Sequence, residues 1–196
     1  LRLARVRILA WVVLMTVLTV AVARAWDSLY PTAQGRLEFA AALQASPALT
    51  SLLGPLYDPV STGGLTAWRL GSGMVLVLGL ASIFLVVKHT RADESVGRTD
   101  LIRSARVGRA SPTLAAFGAA AVIDLAFGAT SAAALMLLGE APSGAAAFGL
   151  SVAGGALVFA SVGVLAAQAV STSRAANGLA SLVLAASFMA YAVGNA

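Results

Sequence analysis

Residues 88–109 hold most of the recognition chemistry in this chain. They read Lys-His-Thr-Arg-Ala-Asp-Glu-Ser-Val-Gly-Arg-Thr-Asp-Leu-Ile-Arg-Ser-Ala-Arg-Val-Gly-Arg, between two long apolar runs. Six of the thirteen Lys and Arg residues and three of the eight carboxylates fall here. The segment offers no catalytic constellation. The chain has one His and no Cys, which excludes disulfides, thiolate metal sites and His clusters. A phosphate-binding loop needs a lysine after glycine, and the only lysine, Lys88, follows Val86-Val87. No Ser-His-Asp set can be drawn. What the segment offers is a gripping surface. The adjacent aliphatics Leu101 and Ile102 can seat in an apolar cleft, while Glu94, Arg98, Asp100, Arg103 and Arg109 orient the contact. A solvated basic loop is the plainer alternative. The chain is expected to be no enzyme and to carry no cofactor. Any energy source must lie in a partner or in an ion gradient.

Two polar residues fall within apolar runs. Asp124 lies near the middle of one. A carboxylate at membrane depth costs about 2.5–3.5 kcal/mol on insertion scales, so it faces the bundle interior or a wet cavity. Its neighbours at helical spacing are Ala120, Ala121, Phe127 and Gly128, mostly small, so another helix can approach closely. Two roles fit: a carboxylate on a substrate pathway or gate, or an interhelical hydrogen bond that aids assembly. Gln168 is a weaker candidate because it lies close to the end of its run. Small residues four apart, Gly149/Ala153 and Ser151/Gly155, point to tight helix packing rather than a ligand site.

The elements that must position these residues are membrane spans. Hydrophobic residues make up 59% of the chain and charged residues 11%, against about 45–50% and 25% in soluble domains. A bilayer core of about 30 Å takes roughly 20 apolar residues per helix. Residues 1–26 read as a basic arm and a first span, Ile8–Trp26. Residues 70–87 give the second span, 113–138 the third and 147–170, within Gly144–Val170, the fourth. Residues 178–194 give the fifth. A signal peptide is the competing reading of the first run, but the run is long and Ala23-Arg24-Ala25 is a poor cleavage site. Backbone groups in lipid must be satisfied internally, so the expected class is an all-α polytopic membrane protein.

Charge asymmetry orients the bundle. Arg2, Arg5 and Arg7, the six in 88–109 and Arg174 put ten basic residues on one side, against Arg24, Arg36 and Arg69 on the other. The positive-inside rule then places the N-terminus, residues 88–112 and the 171–177 turn in the cytoplasm. The basic-apolar alternation of the arm suits a helix lying along the inner surface. The charges sit at span ends, which argues for lipid rather than nucleic acid as the surroundings. Residues 27–69 form an extracytoplasmic segment with a helix over Thr32–Gln44. A second short helix is expected, capped by Ser46 with Pro47 in its first turn. Gly54-Pro55, Asp58-Pro59 and Gly63-Gly64 read as turns. Together these make a short-helix cap, or else a mere interfacial connection. The chain starts without methionine and stops at the end of an apolar run, so it reads as a piece of a longer protein.

The segment Glu94-x-x-Gly97-Arg98-x-Asp100-Leu101-Ile102, closed by Gly108-Arg109, resembles the cytoplasmic coupling segment of ABC-2 type transporter permeases. Ala105-Arg106 departs from it, since many relatives have a proline there. Leu29-Tyr30-Pro31, Gly54-Pro55-Leu56-Tyr57-Asp58 and Thr62-Gly63-Gly64-Leu65-Thr66-Ala67-Trp68-Arg69 are similar to the outer segment of one subgroup. Val86 to Glu94 is similar to its junction into the coupling loop. The subgroup is the bacterial polyketide-antibiotic, tetronasin-type multidrug exporters. The likeness runs from about Asp27 to Arg109, with later spans agreeing in pattern. It implies a type V exporter-like bundle, outward transport of amphiphilic compounds, and a partner ATPase subunit that binds ATP and Mg. It assigns coupling to Glu94, Gly97, Arg98, Asp100, Leu101, Ile102, Arg103 and Arg109. Such permeases carry two six-span halves, so a sixth span and a second half, in the same chain or another subunit, are expected beyond this piece. The setting it implies is the bacterial cytoplasmic membrane. An ion-coupled transporter using Asp124 and a non-transporting membrane scaffold are the alternatives.

Overall fold

The structure, a computed structural model, describes residues 2–92, 108 and 110–195. Among these, every regular element is helical: α1 (Arg2–Leu29), α2 (Ala33–Gln44), α3 (Pro47–Leu53), α4 (Thr62–Val87), a π-helical turn (Lys88–Ala92), α5 (Ser111–Leu137), α6 (Pro142–Ala169) and α7 (Ser173–Gly194). Five of the helices, α1, α4 with its π-turn, α5, α6 and α7, are long and apolar enough to cross a membrane. The chain is an all-α polytopic membrane protein.

The helices run longer than the apolar runs because their caps lie outside them. α4 begins eight residues before Leu70. Ser61 caps it, its Oγ accepting from the Gly64 N–H at 2.9 Å. Gly63-Gly64 is therefore the first turn of a helix and not a loop. Glycine is needed there, because a Cβ on Gly64 would lie 2.2 Å from the Asp58 carbonyl oxygen. α7 likewise begins at Ser173, where Thr172 Oγ1 accepts from the Ala175 N–H at 3.2 Å. Arg174 thus sits in a helical first turn, and the 171–177 turn shrinks to a few residues. The basic arm is continuous with α1 and forms no separate surface helix. In α3, Pro47 occupies the first turn, but the Ser46 side chain makes no capping bond. Thr32 does cap α2, accepting from the Gly35 N–H at 3.1 Å.

α6 is the hub, packing most extensively against α5 and α4. The most apolar windows of α4, α5 and α6 are 39% buried, against 17% for α1 and α7, which places the last two at the periphery. Small residues bring the hub helices together. A Cβ on Gly149 would lie 2.3 Å from the Gly128 carbonyl oxygen, and one on Gly128 would lie 2.6 Å from that of Gly149. The backbones of α5 and α6 therefore touch. Gly155 makes room for the Val75 side chain of α4. Such contacts suit a bilayer, where burying apolar side chains against one another gains little over lipid and close backbone approach supplies the attraction.

The bundle has two distinct ends. One carries α2, α3 and the α5–α6 turn, and is called the capped end here. The other carries the start of α1, the π-turn and the α6–α7 link, and is called the basic end.

Candidate functional site

At the midpoint of the bundle, Asp124 on α5 is 1% exposed and Ser82 on α4 is 3% exposed. The Ser82 hydroxyl lies 3.0 and 2.9 Å from the two carboxylate oxygens. A hydroxyl has one proton to donate, so one oxygen at a time is served. Among the described residues, no Lys, Arg or His makes an ion pair with Asp124. Ser82 is the partner that sequence reasoning missed. A serine inside an apolar helix gave the only signal, and its register toward α5 is set by tertiary packing.

Asp124 and Ser82 line one wall of a cleft of about 450 Å³ between α1, α4 and α5. On α4 and its π-turn the lining residues are Leu78, Ala81, Ser82, Leu85, Lys88 and His89, a single helical face. At 1.5 Å per residue that face runs roughly 16 Å, from mid-helix to the basic end. Ile8 and Trp11 of α1 and Ile123 of α5 supply the other walls. The cleft is apolar along most of its length, with a carboxylate at its deep end and two basic residue types at its mouth.

A second, larger groove of about 540 Å³ lies between α4, α6 and α7. Phe148, Phe159 and Phe188 furnish its apolar surface, and Ser72, Ser151, Ser187 and Tyr191 its hydroxyls. Among the described residues, no charged side chain lines it. Ser151 and Gly155, read from sequence as packing residues, divide: Gly155 packs on α4, and Ser151 faces the groove.

The capped end is held by polar and aromatic contacts. Thr62 Oγ1 donates to Asp27 Oδ1 at 2.9 Å and accepts from Arg36 Nη1 at 3.2 Å. Arg36 and Asp27 also approach to 3.9 Å. That triad ties α1, α2 and α4 together. Beside it, Trp26, Tyr30, Phe39 and Trp68 form a chain of ring contacts with centroids 5.1–6.1 Å apart. The Trp68 indole N–H donates to the Gly54 carbonyl at 2.9 Å, and the Tyr191 hydroxyl donates to the Leu53 carbonyl at 2.8 Å. The residues between α1 and α4 are thus a packed cap.

At the basic end, Arg91 Nε donates to the Ala167 carbonyl at 2.5 Å, satisfying one of the last carbonyls of α6. It fixes the point from which the chain leaves α4. Glu94, Gly97, Arg98, Asp100, Leu101, Ile102, Arg103 and Arg109 lie outside the described residues. Gln168 is exposed at the end of α6 and is not brought to Asp124.

No family model matches the chain. It is 38% identical, over 202 aligned residues, to the multidrug efflux system permease protein Rv1217c of Mycobacterium tuberculosis (strain ATCC 25618 / H37Rv). The alignment takes in all of this chain and 36% of the relative, so the chain spans about a third of that permease's length. The likeness reaches beyond Asp27–Arg109 into α5, α6 and α7, where the sequence had shown agreement in pattern alone. The five-helix bundle described above is therefore a homologue of part of a multidrug efflux permease.

Proposed function

We propose that this chain is part of the membrane permease of an ATP-binding cassette exporter of the ABC-2 type, moving amphiphilic compounds out of the cell. The observation that carries this reading is identity to an efflux permease along the whole of a five-helix apolar bundle. The permease itself performs no hydrolysis. ATP and Mg bind a separate ATPase subunit, and residues 88–109 grip it. In support, the π-turn that ends α4 is the first part of that segment, and Arg91 ties it to the end of α6. A force applied to the segment would thus reach α4 and α6 together, the two helices in closest contact with the rest of the bundle. Glu94, Arg98, Asp100, Arg103 and Arg109 would orient the contact, Gly97 would allow the turn, and Leu101 and Ile102 would fill a cleft in the ATPase. A second permease half completes the pathway. The ten-to-three basic asymmetry puts the basic end in the bacterial cytoplasm and the capped end outside.

The test is copurification. The intact permease should bring down an ATPase subunit, and changing Leu101 and Ile102 together to Asp should break that complex, because an unpaired charge buried at an interface is strongly destabilising. Glu94→Ala and Arg98→Ala should weaken it less. A Leu101→Asp/Ile102→Asp variant that retains the ATPase and exports normally would overturn the coupling assignment.

A further inference from the structure

The α1/α4/α5 cleft combines features that packing alone does not require. Its walls, from Ile8, Trp11, Leu78, Leu85 and Ile123, are apolar or aromatic. Its deep end holds a carboxylate that is 1% exposed and, among the described residues, has one hydroxyl as its hydrogen-bond donor. A buried charge is ordinarily paired. Around Asp124, α4 contributes Ser82, and Lys88 and His89 lie at the far end of the same face, at the mouth. Ser82 and Lys88 are six residues apart on a helix, roughly 9 Å along its axis, and among the described residues the lysine makes no ion pair with the carboxylate. The volume of about 450 Å³ falls within the range of small-molecule sites, about 300–1,000 Å³. An indole in the wall adds a surface that attracts cations.

We propose that this cleft binds a lipophilic organic cation, with Asp124 as its counter-charge and Trp11 and the aliphatic walls around its apolar body. The carboxylate supplies selection by charge, because a neutral or anionic compound of equal shape leaves it unpaired. Ser82 donates to one carboxylate oxygen at a time and so leaves the other for the ligand. That the cation is cargo rests on the permease reading above; that it binds does not.

Tetraphenylphosphonium and tetraphenylborate share a shape and differ in the sign of charge, so they serve as the probe pair. Binding to the intact permease in nanodiscs of zwitterionic lipid is measured by equilibrium dialysis, with protein-free nanodiscs subtracted. The cation should bind saturably and the borate should not. Asp124→Asn keeps the size and can still accept from Ser82, so it should fold, and it should weaken the cation by at least about tenfold. Ser82→Ala keeps the charge and removes its donor, so cation affinity should hold or rise. Equal binding of the two ions, or an unchanged cation affinity in Asp124→Asn, would overturn the proposal. So would a loss in Ser82→Ala as large as in Asp124→Asn, which would mark the pair as packing alone. Failure of binding with ATPase copurification intact removes this proposal and leaves the permease reading standing. Loss of copurification with binding intact does the reverse.

Discussion

Single atoms decide how closely the hub helices approach. Gly149 and Gly154 are about 1.4 helical turns apart on α6, and their surroundings differ completely. A Cβ on Gly149 meets the Gly128 backbone at 2.3 Å, whereas one on Gly154 meets nothing within 4 Å. A backbone carbonyl cannot swing aside as a side chain can, so Gly149→Ala must push α5 away from α6. That change should destabilise the bundle by about 1–3 kcal/mol. Gly154→Ala should be neutral or slightly stabilising, since alanine loses less backbone freedom in a helix. Thermal unfolding of the two variants in the same detergent checks the contrast. Equal melting temperatures would mean that α5 and α6 are not in backbone contact. The sequence marked Gly149 as a packing residue through its spacing to Ala153, but could not say what it packs against. The neighbour is the Gly128 backbone, and only the position of α5 reveals it. The same limit hid Ser82, whose role depends on facing Asp124 across two helices.

The start of α4 shows how an element's boundary can be set by residues outside its apolar run. Asp58 accepts from the Val60 and Ser61 N–H groups, each at 3.1 Å, and from the Ser61 hydroxyl. Ser61 in turn accepts from Gly64. The apolar run begins later, at Leu70, which is why hydropathy placed the element eight residues too far along. A capping signal was present in Ser61, but the adjacent Gly63-Gly64 read as a turn. The Ser61 hydroxyl bond holds the Asp58 carboxyl below its usual value; burial opposes it, and the Ser61 and Val60 backbone donors add to the lowering. The sign follows from linkage. A carboxyl with a depressed folded-state pKa contributes stability that is fully present above its unfolded value, near 3.8, and is lost as pH falls through the folded value. Lowering pH below about 4 should therefore loosen the turn into α4. Asp58→Asn should remove that part of the acid sensitivity, at some cost near neutral pH. Melting temperatures followed from pH 6 to pH 3 for the two proteins test this, and parallel curves would exclude Asp58 as a source of the acid response.

At the scale of the whole molecule, five apolar runs made the fold class and the number of spans readable, because lipid leaves helices as the economical way to cross. The sequence also located the polar residue at mid-depth. It could not join Asp124 to a cleft, since that needs α1, α4 and α5 in register. Nor could it show that the basic arm continues α1, because alternating charge looks alike in a surface helix and in the emergent end of a span. Orientation remains the global property most open to direct test. The basic asymmetry predicts that the start of α1, residues 88–112 and the α6–α7 link share the cytoplasmic side, with α2 and α3 outside. The chain has no cysteine, so none of its own residues competes with a single introduced cysteine. Ser46 suits the outer probe because its side chain makes no capping bond. Ser46→Cys should react in intact cells with a membrane-impermeant maleimide. Ser95→Cys and Ser173→Cys should react only with a permeant reagent or after the membrane is opened. Labelling of Ser95→Cys from outside would invert the bundle. It would place the 88–109 segment where no ATP-hydrolysing subunit could reach it, and the exporter reading would fall with the topology.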